Sequence, residues 1–219
     1  GASVLVITDE PAFSIVSDVI CCRAPKAKLL MLPKNDTAEF IRSCIKNFSP
    51  THFISLERPG KAANGHYHSM RGEVLDDMIT DSALFLSEAK KAGAVTISIG
   101  DGGNEMGMGT YRNVIETFVP FGDKICTAEA ADLTLASGVS NWWGIGIAAL
   151  CSLLAEKSLL PTRAEETESL RLAVAAGSVD GCTRKNEMTV DHLDLETHLG
   201  ILDSVDEILK KELGLCAIA

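Results

Sequence analysis

The sequence predicts an α/β fold: an open, mostly parallel sheet with helices on both faces and a helical C-terminal extension. Two observations carry this. Short apolar, β-branched runs that end in polar residues alternate with helix-length segments whose apolar residues recur at three- and four-residue spacing. After Pro161 the strand-like runs cease and helical patterning takes over. Alternation of this kind indicates parallel β-α-β units, whose sheet needs helical cover.

The elements follow in order. "SVLVITD" (3–9) reads as a buried strand, and "PAFSIVSDVICCRA" (11–24) as a helix with Pro11 near its start. "AKLLMLP" (27–33) is a second strand. "DTAEFIRSCIKNF" (36–48) is a helix with Asp36 or Thr37 as N-cap and Phe40, Ile41, Cys44, Ile45 and Phe48 on one face. "THFISLE" (51–57) is a third strand. A loop, "RPGKAANGHYHSMRG" (58–72), leads to a predicted helix from about 73 to 92 that stops at Gly93. "AVTISIG" (94–100) is a fourth strand, followed by a helix near 110–118 and one or two strands within 124–137. "NWWGIGIAALCSLLAEKSLL" (141–160) predicts a long buried helix, and "AEETESLRLAVAAG" and "LETHLGILDSVDEILKKELG" are the clearest helices of the tail. The expected organisation is a Rossmann-like body over 1–160 and a helical extension over 161–219 packing on it.

Composition narrows the function classes. The 219 residues are 46% apolar and 23% charged, enough for a real core. The formal net charge of −10 argues against nucleic acid as a partner, and no apolar run is long and uninterrupted enough to predict a membrane span. Seven cysteines, an odd number with no C-x-x-C pair, are expected to be buried free thiols in a reducing compartment. The chain has no initiator Met and its strand-like sequence begins by Val4, so the expectation is an excised domain or processed product.

In such a sheet, ligands sit beyond the carboxyl ends of the strands. Two unusual loops fall there. "SIGDGGNEMGMG" follows the fourth strand. It is not a P-loop, because no glycine pair leads into Lys-Ser/Thr. It also fails the dinucleotide fingerprint, because Glu105 stands where the third glycine belongs. Its glycines, Gly102 and Gly103 among them, permit backbone N–H groups to approach a ligand. Asp101, Asn104 and Glu105 could accept protons, orient an ammonium or hold a hard cation. The loop after the third strand gathers Glu57, Arg58, Lys61, His66, His68 and Arg71, and each arginine can grip a carboxylate bidentately. His66 and His68 lack a third partner for a metal. In "SGVSNWWG", Ser140 or Asn141 predicts an N-cap whose helix aims free N–H groups at the same edge.

The stretches "ERPGKAANGHYHSMRG", "SIGDGGNEMGMG" and "GVSNWWGIGIAAL" together resemble the D-glutamate cyclase family, with a weaker echo in "SVDGCTRKNEMTVD" (178–191). The resemblance is to eukaryotic mitochondrial members, in which a further domain precedes this one. It implies a lyase that converts D-glutamate to 5-oxo-D-proline with loss of water, in the mitochondrial matrix. No redox cofactor or ATP is required by that reaction. The residue roles that follow are expectations. Arg58 and Arg71 bind the two carboxylates of the substrate, with Gly102, Gly103, Ser140 and Asn141 also contacting it. Asp101 or Glu105 is the base toward the amine, and the other, or Glu57, handles the leaving oxygen. Asn104 and glycine N–H groups stabilise the oxyanion. A divalent cation on Asp101, Glu105 and Glu57 is an open alternative for polarising the γ-carboxylate. The competing reading is a non-catalytic module that binds a small acidic metabolite.

Overall fold

The structure is a computed structural model that describes residues 1–214. It has the α/β character that the sequence predicts, with parallel strands and flanking helices. The described chain divides into two compact units, one made of Gly1–Met31 with the chain from Asn141 onward, the other of Leu32–Ser140.

In the first unit, β1 (Leu5–Thr8) and β2 (Lys28–Met31) pair in parallel and are joined by α1 (Glu10–Arg23), which carries Pro11 in its first turn. The returning chain forms α6 (Ser140–Leu154), whose first residue, Ser140, closes the second unit, then α7 (Arg163–Ala175) and α8 (Leu195–Glu212). Thr162 and Glu165 cap α7 reciprocally, each side chain accepting from the other's backbone N–H. Ile145, Leu199 and Leu202 form the buried cluster here. Helix α6 is less buried than its composition predicts: among its residues only Ser140, Ile145 and Ser152 are buried, and Leu150, Leu153 and Leu154 are exposed. A small antiparallel pair, β6 (Thr189–Val190) and β7 (Leu193–Asp194), has no counterpart in the sequence reading.

The second unit carries the three-stranded parallel sheet β3–β4–β5 (His52–Leu56, Val95–Gly100, Leu133–Ala136). Helix α2 (Thr37–Phe48) precedes β3 and buries Ile41; Asp36 is its cap residue but makes no side-chain cap bond. Helix α3 is much shorter than expected, Leu84–Lys91 instead of about 73–92, and ends as predicted at Gly93, whose φ is +83°. The reason is competition for the backbone. Asp76 accepts from Tyr67 N–H at 2.8 Å, and Asp81 accepts from Ala83 N–H at 3.1 Å and from the Tyr67 hydroxyl at 2.8 Å. Short acidic side chains that bind nearby amides pull the segment out of the helical ladder. Residues 73–83 therefore belong to a long ordered loop. Phe85 of α3 stacks on Phe53 of β3, and Leu86, Met106 and Ala131 form a core cluster against which Phe53 also packs. A short turn Gly109–Tyr111, α4 (Arg112–Phe118) and α5 (Gly122–Ile125) complete the unit, with Met108, Ile115 and Cys126 buried together.

Among the described residues no helix is long and apolar enough to cross a membrane. The six described cysteines are free thiols, but only Cys126 is fully buried, while Cys21, Cys22, Cys151 and Cys182 are exposed. The expectation of buried thiols fails for those four, because they face outward from their helices or turns. Cys216 lies outside the described residues.

Candidate functional site

Parallel pairing puts the carboxyl ends of β3, β4 and β5 on one edge. Leu56 pairs with Ile99 and Gly100 with Ala136, so Glu57 and Asp101 emerge side by side, and the chain after β5 returns to them at Ser140. Two backbone bonds extend the ladder to this edge, Glu57 N–H to Ile99 O at 3.1 Å and Ser137 N–H to Gly100 O at 3.4 Å. Glu57 itself adopts the left-handed conformation, φ +54°, an uncommon state for a side-chain-bearing residue.

Three carboxylates converge there. One oxygen each from Glu57, Asp101 and Glu105 lies within 4.8 Å of the other two; Glu57 and Asp101 are exposed and Glu105 is buried. At this separation each pair of like charges repels by roughly 1–3 kcal/mol, depending on how much water screens it. Donors offset this. The Ser140 hydroxyl makes a short hydrogen bond to Glu57 Oε2 and lies 3.3 Å from Asp101 Oδ2, while Ser140 N–H donates to the same Oδ2 at 3.2 Å. Ser140 is 1% exposed, which makes it the fixed point of the trio. Three hard oxygen donors so placed also suit a divalent cation.

Glu105 serves the loop it stands in. Its Oε1 accepts from Asp101 N–H at 3.1 Å and Gly102 N–H at 2.8 Å, and its Oε2 accepts from Gly103 N–H at 2.7 Å. The glycine amides expected to meet an oxyanion are thus donated to an acidic side chain of the same loop. The bare backbone is explained by close packing. A Cβ on Gly100 would lie 2.6 Å from the Glu105 carboxyl, and one on Gly103, at φ +99°, would lie 2.8 Å from the Ile115 side chain.

The loop over 58–83 packs on this turn. Asn104 Nδ2 donates to His68 O at 2.7 Å, Met106 N–H to Arg58 O at 2.7 Å, and Gly60 N–H to Asn104 O at 2.8 Å. Met70 lies so close to Gly102 that a Cβ there would meet its sulfur at 2.2 Å. Arg58, expected to grip a substrate carboxylate, donates to Ser82 Oγ at 2.9 Å and Thr80 O at 2.5 Å. Arg71 is exposed, and its guanidinium makes no hydrogen bond or ion pair among the described residues. His66 pairs with Asp76 at 2.6 Å and His68 with the Asn64 side chain at 2.9 Å, so neither joins the carboxylate trio. Burial, then the neighbouring Lys124 and His66 charges, push the His68 pKa down, favouring a neutral ring. Asn141 is exposed and falls in the other unit.

The sequence reading missed Tyr67, Asp81 and Ser82, which organise the long loop. The buried Tyr67 hydroxyl accepts from Ser82 and Ala83 N–H while donating to Asp81; burial and then Asp81 push it up to about 12. The available signal was the run of Asp, Thr and Ser over 76–82, residue types that favour local backbone bonds over helix.

A family profile described as "D-glutamate cyclase-like, C-terminal" matches residues 1–206. The chain is also 34% identical, over 154 residues, to the human protein named "D-glutamate cyclase, mitochondrial". That alignment takes in 69% of the chain and 24% of the human protein, so the chain aligns with about a quarter of its relative's length.

Proposed function

Because the chain belongs to the D-glutamate cyclase-like, C-terminal family, we propose that it is a hydro-lyase that cyclises D-glutamate to 5-oxo-D-proline with loss of water. The observation that carries this reading is the pair of exposed carboxylates, Glu57 and Asp101, held together at adjacent strand ends by Ser140. Proton balance explains why a pair is useful. The substrate ammonium bears three hydrogens on nitrogen and the product lactam one. The departing γ-carboxylate oxygen takes up two protons as it leaves as water. Nitrogen therefore gives two protons, oxygen takes two, and the solution gains none. Neighbouring carboxylates can relay both, one accepting from nitrogen while the other delivers to oxygen. Attack is intramolecular, so holding the five-carbon chain folded supplies much of the acceleration.

In this scheme Asp101 accepts from the substrate nitrogen and Glu57 serves the leaving oxygen. Glu105 shapes the loop, and Arg58 ties the strand end to Thr80 and Ser82. Arg71 is the guanidinium available for a substrate carboxylate. Should a divalent cation bind, Glu57, Asp101 and Glu105 would hold it, and it would polarise the γ-carboxyl group. Loss of activity on chelation, restored by added metal, would assign the trio to that use. Mitochondrial matrix location is part of the same proposal, and fractionation of cells that express the gene product tests it.

The deciding experiment is incubation of the chain with D- and L-glutamate, with chromatographic detection of 5-oxoproline. Product from the D isomer supports the reading. Stoichiometric binding of D-glutamate without product would instead make the domain a sensor of an acidic metabolite.

A further inference from the structure

The site contains three carboxylates, and the chemistry needs one of them to face the substrate nitrogen with an open oxygen. Both oxygens of Glu105 already accept backbone amides, three bonds in all. Asp101 differs. Its Oδ2 is held by Ser140 N–H at 3.2 Å with the Ser140 hydroxyl at 3.3 Å, and no bond to Oδ1 occurs among the described residues. The Ser140 hydroxyl has a single proton, and its short contact with Glu57 Oε2 shows where that proton goes. One buried residue therefore gives its O–H to Glu57 and its N–H to Asp101, and so joins carboxylates from two strands. Its own position is fixed from behind: Val139 is 2% exposed, and Val139 O accepts the Ser137 hydroxyl at 2.6 Å.

We propose that Ser140 is a positioning residue, which orients Asp101 so that Oδ1 meets the substrate nitrogen and holds Glu57 beside it for the leaving oxygen. This rests on the cyclase reading above. Losing the hydroxyl removes the short hydrogen bond that sets Glu57 Oε2 against the repulsion of Asp101 and Glu105, while the backbone N–H still holds Asp101. Binding of the substrate, which uses other contacts, is largely kept, and the relay is misaligned. A displacement of about 1 Å in such a pair costs on the order of 100-fold in rate.

The test is steady-state cyclisation of D-glutamate by the wild-type chain, Ser140→Ala and Ser140→Thr, with melting curves for each. The expected result is kcat lowered about 10- to 100-fold in the alanine variant with KM within about threefold, and most of kcat restored by threonine. If the alanine variant melts below the assay temperature, Ser140→Cys, which weakens the donor at similar volume, is read in its place. An active wild type with an alanine variant within twofold of it, or a folded threonine variant as slow as alanine, overturns the inference alone. A wild type that forms no 5-oxo-D-proline overturns the cyclase reading and this inference with it.

Discussion

Replacing Glu105 with glutamine separates a structural role for that side chain from a chemical one. Its carboxylate accepts three amide N–H groups at 3.1, 2.8 and 2.7 Å and is 3% exposed. Hydrogen bonds to a buried charge contribute about 1.5–3 kcal/mol each, and neutral ones about 1. Glutamine keeps one carbonyl oxygen, which can serve Gly103 or the Asp101–Gly102 pair, and turns its NH₂ toward the remaining donors. That loss comes to roughly 3–5 kcal/mol. Removing the charge also relieves repulsion from Glu57 and Asp101, about 1 kcal/mol per pair where water screens them. The net expectation is destabilisation by about 1–3 kcal/mol, a fall in Tm of about 3–9 °C for a chain of this size. Thermal unfolding followed by circular dichroism reads it directly, with Asp101→Asn as the exposed control expected to melt within about 2 °C of wild type. An unchanged or raised Tm for Glu105→Gln would refute the brace, since repulsion would then outweigh the three amide bonds.

Gly103→Ala must adopt φ +99° and place a Cβ 2.8 Å from Ile115, so a loss of about 2–4 kcal/mol is expected in urea unfolding. A loss under 1 kcal/mol would contradict the packing account of the glycine-rich turn. In the other unit, burial pushes the Asp180 carboxyl up, but bonds from Thr183 and His192 N–H, the Thr189 hydroxyl and Cys182 N–H outweigh it and hold the group at about 2. A depressed native value stabilises the fold above about pH 4, and this stability is lost as pH falls toward 2. Asp180→Ala should flatten that acid limb by about 1–2 kcal/mol after allowance for screening, and an unaltered limb would discount the carboxylate. Arg71→Ala should raise KM for D-glutamate about tenfold or more; kinetics like the wild type would remove Arg71 from the site.

The strand and helix pattern was legible because each strand is a compact apolar run with a polar end, as at "THFISLE", where β3 spans His52–Leu56. The meeting of Glu57 and Asp101 was legible for the same reason: parallel strands send both to one edge. What each side chain does there was not. Arg58 and Glu105 have the right chemistry to touch a ligand, yet the fold uses them on Thr80, Ser82 and its own amides. Sequence spacing records which groups reach an edge, but not which internal donors and acceptors take them first. Helix α3 illustrates the same limit, because its expected first half is claimed by contacts of Asp76 and Asp81 with Tyr67, fourteen residues or fewer away.

The most direct measurement is turnover of D-glutamate by Asp101→Asn, set beside the wild-type chain and Glu57→Gln. Wild-type conversion to 5-oxo-D-proline is expected, with kcat reduced about 10²- to 10⁴-fold in Asp101→Asn at an unchanged melting temperature. Full activity in both carboxylate variants would contradict the claim that this strand-end pair carries the protons.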